Sequence, residues 1–347
     1  WNGLEIQRRE DGKITVTQVA KIRNMAREYQ AEIEELGKGK AVTPEFTAEN
    51  LFDPNDMINP KSISSKELRA LRRYQEMTGS AMYVATYTRY DIAYAMSKAA
   101  RLMHAASYKH IRGIARIIKY LSNHEDLALT FDGTQCCADG APHVFAFADS
   151  DFGGEPFIPT GKADLGRKST SGVLIMAYGG PIYWKSKLQS KVATSSGEAE
   201  HRATNIALNE VNFCRHLISE MGFNCQSIPV FTDSSTSLSQ GKREGNAWAE
   251  GCKQYEIELS RAHSMGYDGS IVQLKIDTND NPADLLTKSH MPSVEVRKRH
   301  VQRIGGNAEE AFESWIRRML SGFTGTQSSV SGLLDPKTFL KRCGLSR

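Results

Sequence analysis

An alternating stretch near the middle of the chain constrains the fold most. Phe145 and Phe147 alternate with alanines, which predicts a β-strand. Gly153 and Gly154 end the stretch, so Asp149 is expected near a strand terminus, where a rigid sheet holds its carboxylate. A solvated turn uses the same residue types, and the stretch alone does not separate a turn from a functional site.

The segments after this strand predict a mixed α/β sheet. Two apolar segments joined through Gly179 and Gly180 are expected to form a hairpin, and strands then alternate with helices. The predicted strands are 144–148, 172–178, 181–186, 229–232 and 270–276; the predicted helices are 197–221 and 247–263, with a last helix opening at Pro282. This order implies a five-stranded mixed sheet with helices on its faces, interrupted by a long loop at 153–168.

The residues before the sheet predict a mainly helical region. It comprises a strand, turn and strand over 4–16, helices at 19–36, 65–76, 90–104 and 108–122, an irregular segment at 37–65 and a strand at 127–131. The Gly, Thr, Cys and Pro content that follows indicates a linker at 133–143. The tail at 306–347 predicts one helix, at 309–320.

A local excess of positive charge indicates a polyanionic partner. Residues 61–120 contain twelve Lys and Arg against three acids, a net of +9, whereas the whole chain carries +4. Four basic side chains are spaced to share one face of the helix at 108–122, opposite an isoleucine-rich stripe. They are Lys109, Arg112, Arg116 and Lys119. We expect them to contact a nucleic-acid backbone, although a solvated basic face has the same pattern.

Composition excludes some classes of protein. The six cysteines show no CxxC spacing, which favours reduced intracellular thiols over a zinc site or a disulfide framework. No apolar run approaches the roughly 20 residues of a membrane span, so no membrane partner is expected. The chain opens with Trp1 inside a predicted strand, and we expect it to be part of a longer translation product.

Four acids fall at the ends of predicted elements. They are Asp149, Glu200, Asp233 and Asp284. Carboxylates gathered at one place repel each other, and divalent metal compensates that repulsion. We therefore predict two Mg²⁺ ions about 4 Å apart, with Mn²⁺ as a second candidate, suited to an in-line phosphoryl displacement.

Two other chemistries fit these acids less well. A serine nucleophile would need a histidine base, but His201 is turned roughly 100° around its helix from Glu200. A glycosidase would use two acids, and four exceed what that reaction needs.

Five strings in this order resemble the ribonuclease H domain of copia-like retrotransposon polyproteins. They are RKSTSG at 167–172, WKSK at 184–187, VATSSGEAE at 192–200, FTDS at 231–234 and NPADLLTK at 281–288. Upstream, 78–95 resembles the segment that links reverse transcriptase to the nuclease in these elements, and 1–30 resembles the end of the polymerase palm. The resemblance covers about residues 1–305.

The resemblance implies a fold and a domain order. It implies a ribonuclease H-like α/β sheet at 144–305, preceded by the palm end at 1–60 and a basic thumb or connection region at 61–132, with a tail of unknown role at 306–347. The paired aspartates of the polymerase are expected before Trp1, so reverse transcriptase activity is not expected of this chain.

The resemblance also implies a reaction and partners. The four acids become the metal ligands of an enzyme that hydrolyses the RNA strand of an RNA/DNA hybrid, whereas Asp151 and Glu198 are not expected to be ligands. Three polar residues are candidate hybrid contacts or the helix N-cap alone: Thr194, Ser195 and Ser196. Other expected partners are the rest of the Pol polyprotein, namely reverse transcriptase and integrase, in a cytoplasmic virus-like particle or the nucleus.

A missing histidine and the persistence of the four acids in decayed elements leave an alternative open. The loop before Asp284 has no histidine, so any proton shuttle must come from elsewhere, and His290 is weakly placed for that role. A decayed element would also keep the four acids. The alternative is therefore a catalytically silent remnant that only binds nucleic acid.

Overall fold

The computed structural model describes residues 3–45, 49–137, 140–155, 167–223, 228–234, 271–289, 291 and 293–306. The helices predicted at 247–263 and 309–320, most of the loop at 153–168 and His290 lie outside these residues. The strands are β1 Glu5–Arg8, β2 Ile14–Thr17, β3 Leu129–Phe131, β4 Val144–Glu155, β5 Lys168–Ala177, β6 Gly180–Leu188, β7 Ile228–Thr232 and β8 Ile271–Lys275. The α-helices are α1 Val19–Glu28, α2 Gln30–Glu34, α3 Ser65–Tyr87, α4 Ala93–Arg101, α5 Tyr108–Asn123, α6 Ser196–Glu220 and α7 Val294–Ile304. Short 3₁₀ turns lie at Pro54–Asp56, Tyr90–Ile92, Thr278–Asp280 and Pro282–Leu286.

The first part of the chain is a helical unit on a small sheet. β1 and β2 form the predicted hairpin through a turn at Gly12, whose φ of 82° suits glycine, and β3 adds to β2. The main helices bury one apolar core, made of residues from 22 to 41 and from 52 to 121. Residues from both sides of the domain boundary expected at 60/61 share this core.

Helix α3 is longer than predicted. It starts at a capping box between Ser64 and Glu67 and continues through Gly79 to Tyr87, beyond the helix end expected at residue 76. Glycine in a helix interior costs roughly 1 kcal/mol. Burial of Met77, Ala81 and Val84 in the helical core outweighs this cost.

The second part contains the five-stranded mixed sheet that the sequence predicts, in the order β6-β5-β4-β7-β8. β4, β5 and β6 are antiparallel, and β7 and β8 run parallel to β4. One face packs on α6, and the other packs on α7, the turn Pro282–Leu286 and Tyr90. The predicted fold class, a ribonuclease H-like α/β sheet with flanking helices, is confirmed.

The two parts pack against each other. Tyr90 is fully buried in the core of the five-stranded part, and its hydroxyl donates to the carbonyl of Val301 in α7. Trp184 of β6 donates its Nε1 hydrogen to the carbonyl of Ala85 in α3, at 2.8 Å. Within the described residues, no helix is long and apolar enough to cross a membrane.

Candidate active site

Asp149 lies on β4, the central strand, and is only 2% exposed. Its partner in register on β5 is Gly172. A Cβ at position 172 would lie 2.7 Å from the side chain of Thr287 and 2.9 Å from the carbonyl of Ala283. The missing side chain therefore lets the segment around 282–288 approach the strand beside Asp149.

Asn281 fixes that segment against the sheet. Its Nδ2 donates to the carbonyl of Ala148 at 3.0 Å, and its Oδ1 accepts from the backbone nitrogen of Ala283. The 3₁₀ turn Pro282–Leu286 follows at once, so Asp284 lies close to Asp149 in the middle of β4.

Glu200 is positioned by the start of α6. The Oγ of Ser195 accepts from the backbone nitrogen of Glu198 at 3.2 Å and so caps the helix. Gln189, just after β6, donates to the carbonyl of Ala199 at 3.0 Å and to Ser171 of β5 at 2.9 Å. These bonds tie the first turn of α6 to the sheet beside Asp149.

Asp233 follows β7, which pairs in parallel with the middle of β4 in a register that brings Asp233 level with Asp149. Ligand atoms of Asp149, Glu200 and Asp233 all lie within 4.8 Å of one another. The structure thus brings together three of the four predicted acids from three different elements. We call them the carboxylate cluster.

Asp284 lies beside this cluster and outside that group of three. Its Oδ1 is 2.8 Å from the Nζ of Lys288, and the same ammonium is 3.9 Å from Oδ2 of Asp149. The hydroxyl of Thr287 also donates to Oδ2 of Asp149. A lysine therefore bridges the fourth acid to the cluster.

Burial and mutual repulsion shift the pKa values of Asp149, Glu200 and Asp284. Burial, followed by the charges of Asp149 and Asp233, raises the pKa of Glu200 to about 9. Burial and then Asp149 raise the pKa of Asp284 to about 7, although Lys288 opposes the shift. Burial also raises the pKa of Asp149. The set resists full ionisation, and a bound cation would relieve that resistance.

Neighbouring residues take the structural roles that the sequence left open. Thr194 donates its hydroxyl to Glu198 at 2.7 Å, and Glu198 also pairs with Arg202 at 2.5 Å, so this acid is occupied in holding the helix start. Ser195 is the N-cap. Contact between the exposed hydroxyls at 194–196 and an RNA/DNA hybrid stays a prediction.

His201 is buried in α6. Burial lowers its pKa to about 4, so the ring is neutral near pH 7.

The prediction that four basic residues share an exposed face of α5 is wrong for Lys119, which is buried. Its ammonium donates to the carbonyl of Gly37. Arg116 is half-buried and donates its Nε hydrogen to the carbonyl of Thr43 at 3.1 Å. The segment before the turn at Pro54–Asp56 crosses this side of the helix, which the helical spacing alone could not show.

The two remaining basic residues of α5 are more exposed. Lys109 pairs with Asp56 at 2.8 Å and Arg112 with Glu49 at 3.5 Å. Such exposed pairs are weak and exchange readily. Contact between these residues and a nucleic-acid backbone stays a prediction.

Sequence reasoning missed Lys288 and His300. Lys288 stands in the last matched string, four residues after Asp284, a spacing that indicates a pair on a turn. His300, on α7, lines a cavity of about 270 Å³ together with Asn279, Asp284 and Lys288. The sequence could have indicated Lys288, because it is a basic residue four positions after the predicted ligand Asp284.

Comparisons with known proteins place the chain among transposon polyproteins. The chain is 31% identical over 229 residues to the retrovirus-related Pol polyprotein from transposon TNT 1-94 of Nicotiana tabacum, covering 66% of this chain and 16% of the relative. It is 26% identical over 225 residues to that from transposon RE1 of Arabidopsis thaliana, covering 65% and 14%. The match thus spans about one sixth of these relatives. No protein-family model matches.

Among solved structures, LC11-RNase H1 in complex with RNA/DNA hybrid is 16% identical, covering 42% of this chain and 93% of that one, with a TM-score of 0.31. The transposon relatives match the resemblance drawn from the five strings. The chain is similar to the Pol polyproteins of these transposons, and its five-stranded mixed sheet with flanking helices is the fold class that the sequence predicts.

Proposed function

We propose that this chain carries a metal-dependent ribonuclease H that hydrolyses the RNA strand of RNA/DNA hybrids during retrotransposon reverse transcription. The observation that carries the proposal is the convergence of Asp149, Glu200 and Asp233 within 4.8 Å. Three carboxylates from separate elements at the edge of one sheet form a set of oxygen ligands of the kind that Mg²⁺ prefers.

The residues present fit a divalent ion. Oε2 of Glu200 is shielded from solvent and has no hydrogen-bond partner among the described residues. Such an atom is costly to bury alone, and a cation would satisfy it. Mg²⁺ is the expected ion and Mn²⁺ the second candidate.

The chain's own groups hold and orient this site. Thr287 and the sheet fix the carboxylate of Asp149, and the capped start of α6 fixes Glu200. When bound, the metal would lower the pKa of an attacking water and stabilise charge on the phosphate. Preference for RNA would rest on contacts to 2′-hydroxyl groups, for which the exposed hydroxyls at 194–196 are candidates.

Cleavage of a labelled RNA/DNA hybrid in Mg²⁺ tests the proposal. Asp149→Asn should lower the rate by roughly 100-fold or more, because it removes a ligand shared across the site. Asp151→Asn, two residues further along the same strand, is the matched control and should keep most activity. Equal rates for the natural chain and Asp149→Asn would refute the mechanism. Hybrid binding without any cleavage by the natural chain would favour the silent remnant.

We also propose partners and a location for this chain, on the basis of the same relatives. We expect the chain to act joined to, or beside, the reverse transcriptase and integrase of its polyprotein. A virus-like particle in the cytoplasm, or the nucleus, is where such an assembly would meet its hybrid.

A further inference from the structure

We propose that the ammonium of Lys288 takes the place of a second metal ion between Asp149 and Asp284, so that this site binds a single divalent ion. The inference rests on the proposed metal dependence of the carboxylate cluster. It differs from the two-ion site that four acids alone would suggest.

The four acids divide into two unequal groups that share Asp149. On one side, Asp149 approaches Glu200 and Asp233, with ligand atoms within 4.8 Å. On the other side, the Nζ of Lys288 lies 2.8 Å from Asp284 and 3.9 Å from Asp149. The position between Asp149 and Asp284, where a second cation would lie, is taken by a positive charge that belongs to the chain.

The backbone holds Lys288 in this position. Its backbone nitrogen donates to the carbonyl of Asp284 at 3.0 Å, and Thr287, the residue before it, donates to the carboxylate of Asp149. The lysine side chain is 31% exposed, whereas the carboxyl groups of Asp149 and Asp284 are almost fully buried. The ammonium therefore closes the solvent side of this pair.

Repulsion between like charges supports a single ion. A second divalent ion would have to approach the ammonium closely and would be repelled.

The competing arrangement is that Lys288 leaves when a second ion arrives. The cavity of about 270 Å³ between Asn279, Met291 and His300 borders Lys288 and has room for the displaced side chain. The number of ions bound separates the two arrangements.

The test is the stoichiometry of Mn²⁺ binding to the full chain, measured by titration calorimetry and checked by the electron paramagnetic resonance of free Mn²⁺. We expect one ion for the natural chain and for Lys288→Arg, which keeps the charge, and two for Lys288→Gln. Lys288→Gln combined with Asp284→Asn should return to one ion, because the second ion loses its ligand. Lys298→Gln, which removes an exposed charge from α7, is the matched control and should leave one ion.

Each result has a distinct meaning. Two ions in the natural chain, or one ion in a folded Lys288→Gln variant, would overturn the role of Lys288 and leave the metal site standing. No ion in the natural chain would refute the proposed function itself. Circular dichroism melting without metal shows whether each variant is folded, and a purely structural lysine would change the melting temperature without changing the stoichiometry.

Discussion

At the scale of single residues, burial disfavours the ionised forms of Asp149 and Glu200 in the carboxylate cluster. Asp149, Glu200 and Asp233 were predictable because the patterns of β4, α6 and β7 are clear in the sequence. The expectation that β4 ends near Asp149 was wrong, since the strand continues to Glu155. Lys288 was not, since its role depends on the turn Pro282–Leu286 bringing it back over Asp149. The burial of Lys119 was hidden for a similar reason, because the covering segment is distant in sequence.

Glu200 should make the metal-free protein less stable as pH rises. Its pKa is raised from 4.5 to about 9 in the folded chain, so its stabilising contribution is complete below pH 4.5 and is lost as pH rises to about 9. Urea unfolding in a chelator should show stability falling over this range. Glu200→Gln, which stays neutral, should flatten the slope, and Mg²⁺ should offset the loss by binding the ionised form. An unchanged slope in Glu200→Gln would show that Glu200 is not the group that resists ionisation.

At the scale of elements, the sheet followed from sequence pattern more closely than the helices around it. Alternating and apolar runs identified β4 to β8. The end of β4 was wrong, because the strand continues from the predicted end at residue 148 through Gly153 and Gly154 to Glu155. Helix α7 was missed because its buried face includes Arg297 and His300, which break the apolar period. The continuation of α3 past Gly79 was missed because glycine disfavours a helix locally, and the sequence alone does not show the buried core contacts that offset this cost.

The approach of the turn Pro282–Leu286 to β5 depends on Gly172. Gly172→Ala places a methyl group within 2.7–2.9 Å of Thr287 and Ala283, which should cost about 1–3 kcal/mol and move Asp284 and Lys288 off the strand. Gly79→Ala is the control: its methyl group meets nothing within 4 Å, and it should stabilise α3 by up to about 1 kcal/mol. Chemical denaturation measures both, and hybrid cleavage should fall only for Gly172→Ala. A stability loss at Gly172 without loss of cleavage would separate this contact from the site.

At the scale of the whole molecule, the helical part and the five-stranded part are joined by buried polar contacts. Arg89 and Asp91 form an ion pair at 2.8 Å with both side chains fully buried, just before α4. Arg297, in α7 of the five-stranded part, donates to the backbone carbonyl of Asp91. In addition, the backbone nitrogen of Thr130 in β3 donates to the carbonyl of Gly305, just after α7, at 2.9 Å. These contacts imply that the two parts unfold together.

Asp91→Asn tests this coupling. It leaves the buried Arg89 guanidinium without its charge partner, which should cost about 3–5 kcal/mol. The matched control is Asp11→Asn, since Arg9 and Asp11 form a pair of the same residue types and spacing on the surface, at 3.4 Å. Helical circular dichroism and hybrid cleavage, followed through urea unfolding, should shift together in Asp91→Asn and hardly move in Asp11→Asn. Loss of the helical signal at a lower urea concentration than loss of cleavage would show that the five-stranded part stays folded without the helical unit.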